Sequence, residues 1–462
     1  MHQKCIILHF IFAMMNHIFS LLALALVIGA CSYRAQTHSS EMMRYQPVVL
    51  DITVLDSVEN EQKNFQSLRL IRTIQAFDIS QTSDVLVYDS AINSPKSAIF
   101  SKDGSKFYIH SLEGHTTVVY DTKSLEKLKE IQHVFNDNSA HFFKDGETTI
   151  FEYPYKQTQD NLNHFMGKPV ESCLSHEGKY LWVTYYRRDF DPSASSPSAV
   201  AIIDTETDEI VRVMPCGPLP KMIACSPDNK RIAVTHWGDN TVAIIDIDSD
   251  DVFDFHYTEH IYIDGKLVTN FAANVDRDNN CGNCLRGTLF TPDGRYLLIA
   301  KMGGNGIAVV RTSDMKYIGT LTGSKLNLRH IIVEHDFLYV SSNKFGYVQR
   351  MPLEFLDSIK PDENSALLFN YAAWKSTSVG IGARTIEMTP DGRYILVCVN
   401  NESKIAVIDA EKMSMIYSLP VSKFPVGLAI SPDGKYAVVT SQGKASVVPS
   451  GNAVNVYEIV YE

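Results

Sequence analysis

Short apolar segments alternate with polar turns along most of the chain, from about residue 68 to the carboxyl terminus. The recurring module is an apolar strand, a turn of the Pro-Asp-Gly type, and a second strand rich in β-branched and aromatic residues. Proline presets one backbone angle of such a turn, aspartate can bond to its own backbone, and glycine takes the positive φ that reverses the chain. Each module therefore predicts two antiparallel strands.

The module recurs eight times. The clearest copies are LFTPDGRYLLIA at 289–300, EMTPDGRYILVC at 387–398 and AISPDGKYAVVT at 429–440. Several copies continue with a third strand and an acidic turn, as in VAIID at 200–204, and with a fourth strand, as in EIVRVM at 209–214. Because four antiparallel strands make one blade, the pattern predicts an all-β chain folded as a β-propeller.

These repeats resemble the YVTN-repeat (YncE-like) family of seven-bladed propellers, whose unit runs S-P-D-G-K-Y-x-Y-V-T-N, then x-V-x-V-I-D-T, then an outer strand. The resemblance covers about residues 68–462 and implies the fold, whereas the same repeat serves proteins of different functions. Eight hairpins indicate eight blades, but seven follow if the crowded hairpin at Asp145 elaborates its neighbour. We therefore expect seven or eight four-stranded blades.

The two ends of the chain are expected to meet in one blade. The segment AVNVYEIV at 453–460 has the pattern of a third strand, and no fourth strand follows it. The segment LRLIRTI at 68–74 could supply that strand, and this pairing would remove an open sheet edge. The turn spacing is longest between Asp228 and Asp293, which predicts an insertion around 248–285.

The amino terminus carries an apolar stretch from Ile18 to Ile28 that is too short for a spanning helix with polar flanks. Together with the small residues before Cys31, it resembles a lipoprotein signal peptide, with Ile28-Gly29-Ala30-Cys31 as the lipobox. The resemblance implies cleavage before Cys31, a diacylglycerol on its sulfur, and an anchor in the bacterial envelope. An uncleaved anchor or an ordinary secretion signal is the alternative, and each of these exports the body.

The sequence thus divides into a signal peptide at 1–30, a polar lipid-anchored linker at 31–46 and a single propeller domain at 47–462. Ser32 follows the lipidated cysteine and resembles a residue that sorts lipoproteins to the outer membrane. We expect the protein at the outer membrane, facing the periplasm.

Candidate chemistry lies where the first strand of each blade approaches the central channel. The residues seven places before the turn acids are Lys96, Asn138, Val170, Lys221, Arg286, Arg329, Arg384 and Val426. Five of these eight are cationic, and clustered cations favour a bound carboxylate, phosphate or sulfated sugar. The alternative is that they pair with acids from neighbouring loops, Glu171 among them.

A tight hairpin returns the chain to the same face eight residues after the turn acid, which brings Tyr185, His236 and Lys301 toward the channel. Tyr186 and Trp237 follow two of them directly. The complete candidate anion site comprises Lys96, Lys221, Arg286, Arg329, Arg384, His236, Lys301 and Tyr185.

The one notable cysteine spacing is Cys281-Gly-Asn-Cys284, a candidate for a local disulfide in an oxidising compartment. Covalent haem would need histidine where Leu285 stands. No motif indicates a metal site or any cofactor, and no nucleophile elbow, P-loop or dinucleotide fingerprint occurs in the sequence.

Two functions are compatible with these features. The first is a non-catalytic binding or scaffold protein of the cell envelope, with an anionic small molecule, a glycan or an envelope protein as partner. The second is an enzyme, because similar propellers include lactonase-like hydrolases and cofactor-dependent oxidoreductases. The formal charge of -11 and the exported location argue against nucleic acid as a partner.

Overall fold

The computed structural model describes residues 64–76, 83–147, 163–268, 275–443 and 451–462. The signal peptide, Cys31 and the linker lie outside the described residues. The described chain folds into seven small, mostly antiparallel sheets, with a few short 3-10 helices between strands. No helix in these ranges has the length and apolar character needed to cross a membrane.

The strands follow the chain blade by blade. The first two, β1 (Phe65–Gln75) and β2 (Leu86–Tyr88), belong to the last blade. Blade 1 comprises β3 (Pro95–Phe100), β4 (Lys106–Ser111), β5 (Thr116–Asp121) and β6 (Lys127–Gln132). Blade 2 comprises β7 (Val134–Phe135), β8 (Phe165–Ser175), β9 (Tyr180–Arg188), β10 (Ser198–Asp204) and β11 (Glu209–Cys216). Blade 3 comprises β12 (Pro220–Cys225), β13 (Arg231–His236), β14 (Thr241–Asp246) and β15 (His256–Tyr262).

The remaining blades follow the same plan. Blade 4 comprises β16 (Leu285–Phe290), β17 (Tyr296–Lys301), β18 (Ile307–Arg311), β19 (Lys316–Thr322) and the parallel edge strand β23 (Leu367–Asn370). Blade 5 comprises β20 (Leu328–Glu334), β21 (Phe337–Ser342), β22 (Tyr347–Pro352) and β24 (Lys375–Ser378). Blade 6 comprises β25 (Ala383–Met388), β26 (Tyr394–Val399), β27 (Lys404–Asp409) and β28 (Ser414–Pro420). Blade 7 comprises β29 (Pro425–Ile430), β30 (Tyr436–Ser441), β31 (Ala453–Tyr461), β1 and β2.

The innermost strands form a closed ring. Contacts run from β3 to β8, β12, β16, β20, β25 and β29, and from β29 back to β3. The protein is therefore a seven-bladed β-propeller, and of the two blade numbers that the sequence allowed, seven is correct. The extra signal near Asp145 is a 3-10 helix, Asp137–Phe142, followed by a turn. Asn136 caps this helix through its side chain.

Closure of the ring occurs as predicted. Strand β1 pairs antiparallel with β31, with Leu68 opposite Ile459 and Ile74 opposite Val454. Strand β2 adds a short parallel strand outside β1. Ile74 is fully buried in a hydrophobic cluster that joins blade 7 to blade 1. The amino-terminal strand therefore completes the last blade and also packs it against the first.

The repeated turns explain why the blades form where they do. In the turn at 291–294, Thr291 Oγ1 donates to Asp293 Oδ1 at 2.6 Å, and the amide of Gly294 donates to the Thr291 carbonyl at 2.8 Å. Gly294 has a φ of +70°, which only glycine adopts readily. The same aspartate contact recurs in the turns at Asp391 and Asp433. Each turn thus holds its hairpin through local contacts.

The long spacing before blade 4 contains both strand and loop. Strand β15 uses the first part of the predicted insertion as the outer strand of blade 3. Residues 263–284 then connect β15 to β16, and residues 275–284 carry groups to the channel face, as described below.

The closure predicts a specific pattern of stability. We expect Ile74→Ala to lower the free energy of unfolding by about 2–5 kcal/mol, because it leaves a cavity between two blades. Leu70→Ala on the same strand is the matched control, since Leu70 is 41% exposed, and it should cost less than about 1 kcal/mol. Urea unfolding of the full chain, followed by tryptophan fluorescence, measures both. Equal effects of the two substitutions would contradict the described packing of β1.

Candidate functional site

Each of the seven innermost strands is interrupted by a β-bulge at its channel position. The register shifts fall between Pro95 and Ser97, Pro169 and Ser172, Pro220 and Met222, Leu285 and Thr288, Leu328 and Ile331, Ala383 and Ile386, and Pro425 and Gly427. A bulge bends its strand and redirects the side chains within it. The residues at these bulges include Lys96, Glu171, Lys221, Arg286, Arg329, Arg384 and Val426, and we call this set the axial ring.

The five cations of the axial ring lie close enough to affect one another. Burial lowers the pKa of Lys96 well below its ordinary value, and the charges of Arg384, Arg286, Lys221 and Arg329 lower it further. Burial likewise lowers the pKa of Lys221 to about 7, against the opposing effect of Asp278. The pKa of Arg329 is also lowered by burial and by Arg384 and Arg286. The fold therefore concentrates basic groups on the axis, where burial and mutual repulsion disfavour their charged forms.

Two carboxylates offset part of this charge. Arg286 Nη2 donates to Glu171 Oε1 at 2.8 Å, and Lys221 Nζ lies 3.5 Å from Asp278 Oδ1. Glu171 was the acid that the sequence suggested as a neutralising partner. Asp278 was not foreseen, because it lies in the loop before β16, where nothing in the repeat pattern predicts a channel contact.

The other three cations have only neutral hydrogen-bond partners. Lys96 Nζ donates to Gln442 Oε1 at 3.4 Å, and Arg384 Nε donates to the Val426 carbonyl at 3.2 Å. Arg329 Nη1 approaches only a thioether, Met302 Sδ, at 3.4 Å. Within the described residues, Arg329 Nε and Arg384 Nη2 are buried without a hydrogen-bond partner. These two guanidinium groups retain unused donors in the channel.

Two aromatic rings border the axial ring on one side. Lys221 Nζ lies 3.8 Å from the centroid of Tyr186 and 5.1 Å from that of Trp237. Trp237 Nε1 donates to the Asp278 carbonyl at 3.0 Å, which ties the preceding loop to the ring. We call Tyr186, Trp237 and Asp278 the aromatic rim. It stabilises the Lys221 cation through ring faces as well as through a carboxylate.

Three predicted site residues lie apart from the axial ring and have partners of their own. The Tyr185 hydroxyl is hydrogen-bonded to His133 Nδ1 at 2.8 Å, inside a hydrophobic cluster. His236 is buried between Cys216 Sγ at 3.1 Å and Thr241 Oγ1 at 2.8 Å. Lys301 Nζ donates to Asp264 Oδ2 at 2.8 Å and to Thr320 Oγ1 at 2.8 Å.

Successive side chains of a strand point to opposite faces, which explains why Tyr185 and His236 lie apart from the axial ring. Tyr185 is buried, and the next residue, Tyr186, reaches Lys221. The same holds for His236 and Trp237. A shift of one residue exchanges the two faces of a strand, so an offset counted from the turn must be correct to the residue. Testing both parities against the positions of the bulges would have identified Tyr186 and Trp237.

The axial ring continues into a cavity of about 330 Å³ along the propeller axis. Its polar lining residues include Glu171, Ser97, His330, Thr385 and Glu387. Burial and, to a smaller extent, the nearby Glu334 raise the pKa of Glu387 to about 8. Burial also lowers the pKa of His330 to about 4, with Arg286 adding to the shift. Both groups are therefore neutral in the empty channel near neutral pH.

A disulfide joins Cys281 to Cys284, the pairing that the sequence suggested. It lies in the loop before β16, between Asp278 and Arg286. Cys173, Cys216, Cys225 and Cys398 are free thiols. In the described part of the chain, no group of three or more histidine, cysteine, aspartate or glutamate side chains is arranged to hold a metal ion.

Comparison with known proteins supports the fold. No protein-family model matches the chain, and no curated protein matches it. Among solved structures, a chain of the Kuenenia stuttgartiensis hydrazine synthase is similar, with a TM-score of 0.54 and 14% identity over 84% of this chain and 100% of that chain. The β-propeller domain of Myceliophteria thermophila Cps50 (Swd1) matches with a TM-score of 0.53 and 10% identity over 80% of this chain and 98% of the domain.

A chain of the mitotic checkpoint complex matches with a TM-score of 0.53 and 11% identity, over 85% of this chain and 95% of that chain. At these identities the likenesses establish the architecture, and it is the architecture of a seven-bladed β-propeller.

Proposed function

We propose that this propeller is a non-catalytic binding protein that holds an anionic ligand in the axial ring. The observation that carries the proposal is the excess of buried cations at one place. Five cationic side chains meet on the axis, and among the described residues only Glu171 and Asp278 pair with them. Two guanidinium groups keep unused donors there.

The physical argument concerns the cost of burying charge. A buried charge is expensive unless it is paired and hydrogen-bonded, and removing one partner of a buried pair costs several kcal/mol. Arginine keeps its proton in proteins, so Arg329 and Arg384 cannot escape this cost by becoming neutral. An anion that accepts from their free donors would offset it. Charge-assisted hydrogen bonds from guanidinium groups are strong and directional.

The aromatic rim limits the class of ligand. Tyr186 and Trp237 offer flat faces beside Lys221, and such faces favour an organic body over a simple hydrated ion. We therefore propose a carboxylate, an organic phosphate or a sulfated sugar. An envelope protein that inserts an acidic side chain would use the same chemistry.

The cellular location is part of the proposal. The lipobox-like motif before Cys31 supports export and lipid attachment, and we propose the outer membrane, facing the periplasm. The Cys281–Cys284 disulfide supports an oxidising compartment. The turn motifs support kinship with the YVTN-repeat propellers, which we propose as the family.

Thermal unfolding of the full chain tests the anion site. We expect organic carboxylates, phosphates or sulfated sugars to raise the midpoint, with a stabilisation of about 2.7 kcal/mol at a ligand concentration 100 times Kd. The double variant Arg329→Met, Arg384→Met should lose this shift, because it removes the unused donors. Lys123→Met is the matched control, since this lysine is exposed, and it should keep the shift.

Two results would contradict this proposal. If the double variant keeps the full anion shift, the ring is not the binding site. If only a divalent metal or a quinone stabilises the protein, a catalytic axial site replaces the receptor.

The buried lysines predict a dependence of stability on pH. The pKa values of Lys96 and Lys221 are lower in the folded chain than the 10.5 of an ordinary lysine, so the unfolded chain binds more protons. Stability should therefore rise with pH between about 7, the pKa of Lys221, and the ordinary value. Lys96→Met should flatten this rise and raise the free energy of unfolding near pH 7 by about 1–4 kcal/mol.

The measurement is urea unfolding of wild type, Lys96→Met and Lys123→Met across this pH range. The exposed control should follow wild type. A Lys96→Met profile as steep as that of wild type, with no gain near neutral pH, would show that burying Lys96 does not lower the stability of the folded protein.

Lipid attachment is tested by metabolic labelling with radioactive palmitate in a bacterial host. We expect the full chain to incorporate the label and Cys31→Ala to lose it, because the acyl groups depend on that sulfur. Cys5→Ala is the control and should remain labelled. Labelling that survives in Cys31→Ala would place the lipid elsewhere.

A further inference from the structure

The channel changes character along the axis. At the bulge of β25, Arg384 belongs to the axial ring, and three residues later Glu387 lines the cavity. At about 3.3 Å per residue the two positions are about 10 Å apart along the strand. A ligand lying on the axis would meet a positive zone at one end and a carboxyl group at the other.

The part of the cavity around Glu387 offers hydrogen-bond acceptors, and none of the described residues supplies an unpaired cation there. The polar side chains from Ser97, His330 and Thr385 are neutral, and Glu171 already binds Arg286. The cavity also reaches Lys102, but this lysine is paired with Glu177. Among the described residues, no hydrogen bond or ion pair fixes the Glu387 carboxyl. The Glu387 carboxyl therefore has acceptor capacity to spare.

We propose that the ligand of this channel is a zwitterion, with its carboxylate or phosphate in the axial ring and a primary or secondary amine against Glu387. This inference rests on the proposed function and adds the chemical class of the ligand. An ammonium group supplies several donors and a positive charge, which match an acidic group in a poorly hydrated cavity. A second anionic end would instead face Glu334 and Glu387.

Binding should move a proton. In the empty channel near pH 7 Glu387 is protonated, because burial and Glu334 raise its pKa to about 8. The titratable groups that line the cavity with Glu387 are the neutral His330 on β20, Glu171 on β8 and Lys102 in the turn after β3. Glu334 on β20 also acts on Glu387 by raising its pKa. The segment of β29 that lines the cavity, 427–430, carries no charged side chain. An incoming ammonium favours the carboxylate, so the Glu387 proton passes to the buffer and the ligand amine keeps its own.

The experiment is isothermal titration calorimetry of the full chain near pH 7 with three probes of equal carbon number: 6-aminohexanoate, hexanoate and adipate. We expect 6-aminohexanoate to bind about tenfold or more tightly than hexanoate, as a charge-assisted hydrogen bond allows. Adipate should bind no better than hexanoate. Each carboxylate probe raises the pKa values of Lys96 and Lys221 and so takes up protons near pH 7. Repeating the titrations in buffers of different ionisation enthalpy should therefore show that 6-aminohexanoate releases up to about one proton more than hexanoate.

A variant isolates the group responsible. Glu387→Gln should bring the preference for 6-aminohexanoate over hexanoate below about threefold and abolish the difference in proton count between the two probes, while hexanoate binding stays unchanged. Glu411→Gln is the matched control, because Glu411 is exposed, and it should behave as wild type. The wild-type comparison of probes and its proton count need no variant, so they remain decisive if Glu387→Gln folds poorly.

The possible failures are distinguishable. Equal binding of 6-aminohexanoate and hexanoate with the same proton count would overturn the zwitterion inference and leave the anion site standing. Tighter binding of adipate would do the same. If none of the three probes binds, and no other anion stabilises the protein in the thermal measurement, the anion site fails and the inference falls with it.

Discussion

Closure of the ring by β1 and β31 is the constraint on which the rest of the structure depends. Seven sheets can bring their inner strands to one axis only if the last sheet is complete and packs on the first. The antiparallel pairing of the two chain ends meets both needs, and Ile74 takes part in each through its pairing with Val454 and its burial between blades. The side chains of the axial ring come from different blades, and closure of the circle brings them together.

The bulges are the second constraint. In regular strands the inner residues of a blade alternate between its two faces and pack against neighbouring blades. A bulge in each innermost strand breaks that alternation at one level of the axis, and five of the seven bulges carry a cation. The repeat places the strands, whereas the bulge allows a long charged side chain to enter the channel.

How far the sequence predicted this structure depended on whether the information was local. Turns such as Thr291-Pro-Asp-Gly are held by contacts within four residues, so the hairpins and the meeting of the chain ends followed from the pattern. The choice between seven and eight blades and the fifth strands of blades 2, 4 and 7 did not. The cations could be located by a fixed distance from those turns. The same count from the turn selected Tyr185 and His236, but an error of one residue exchanges the two faces of a strand. The residues that lie on the channel side are their neighbours, Tyr186 and Trp237. Asp278 belongs to a loop outside the repeat, so its contact with Lys221 depends on tertiary structure alone.

The chemistry of the axis follows from combining these constraints. A flexible protein would relieve the repulsion between Lys96, Arg329 and Arg384 by moving them apart, but each is attached to a strand held by its own blade and by the two adjacent blades. The repulsion is therefore retained in the folded state, and a group of opposite charge is the means of relieving it. Glu171 and Asp278 do so on one part of the ring, since each pairs with one cation. The remainder lies beside a cavity that also contains the carboxyl group of Glu387, which is neutral near neutral pH. On the zwitterion proposal, a rigid scaffold with basic groups at one level of the axis and a carboxyl group at another would select a ligand by the spacing of the ligand's own charges, which a flat basic surface could not do.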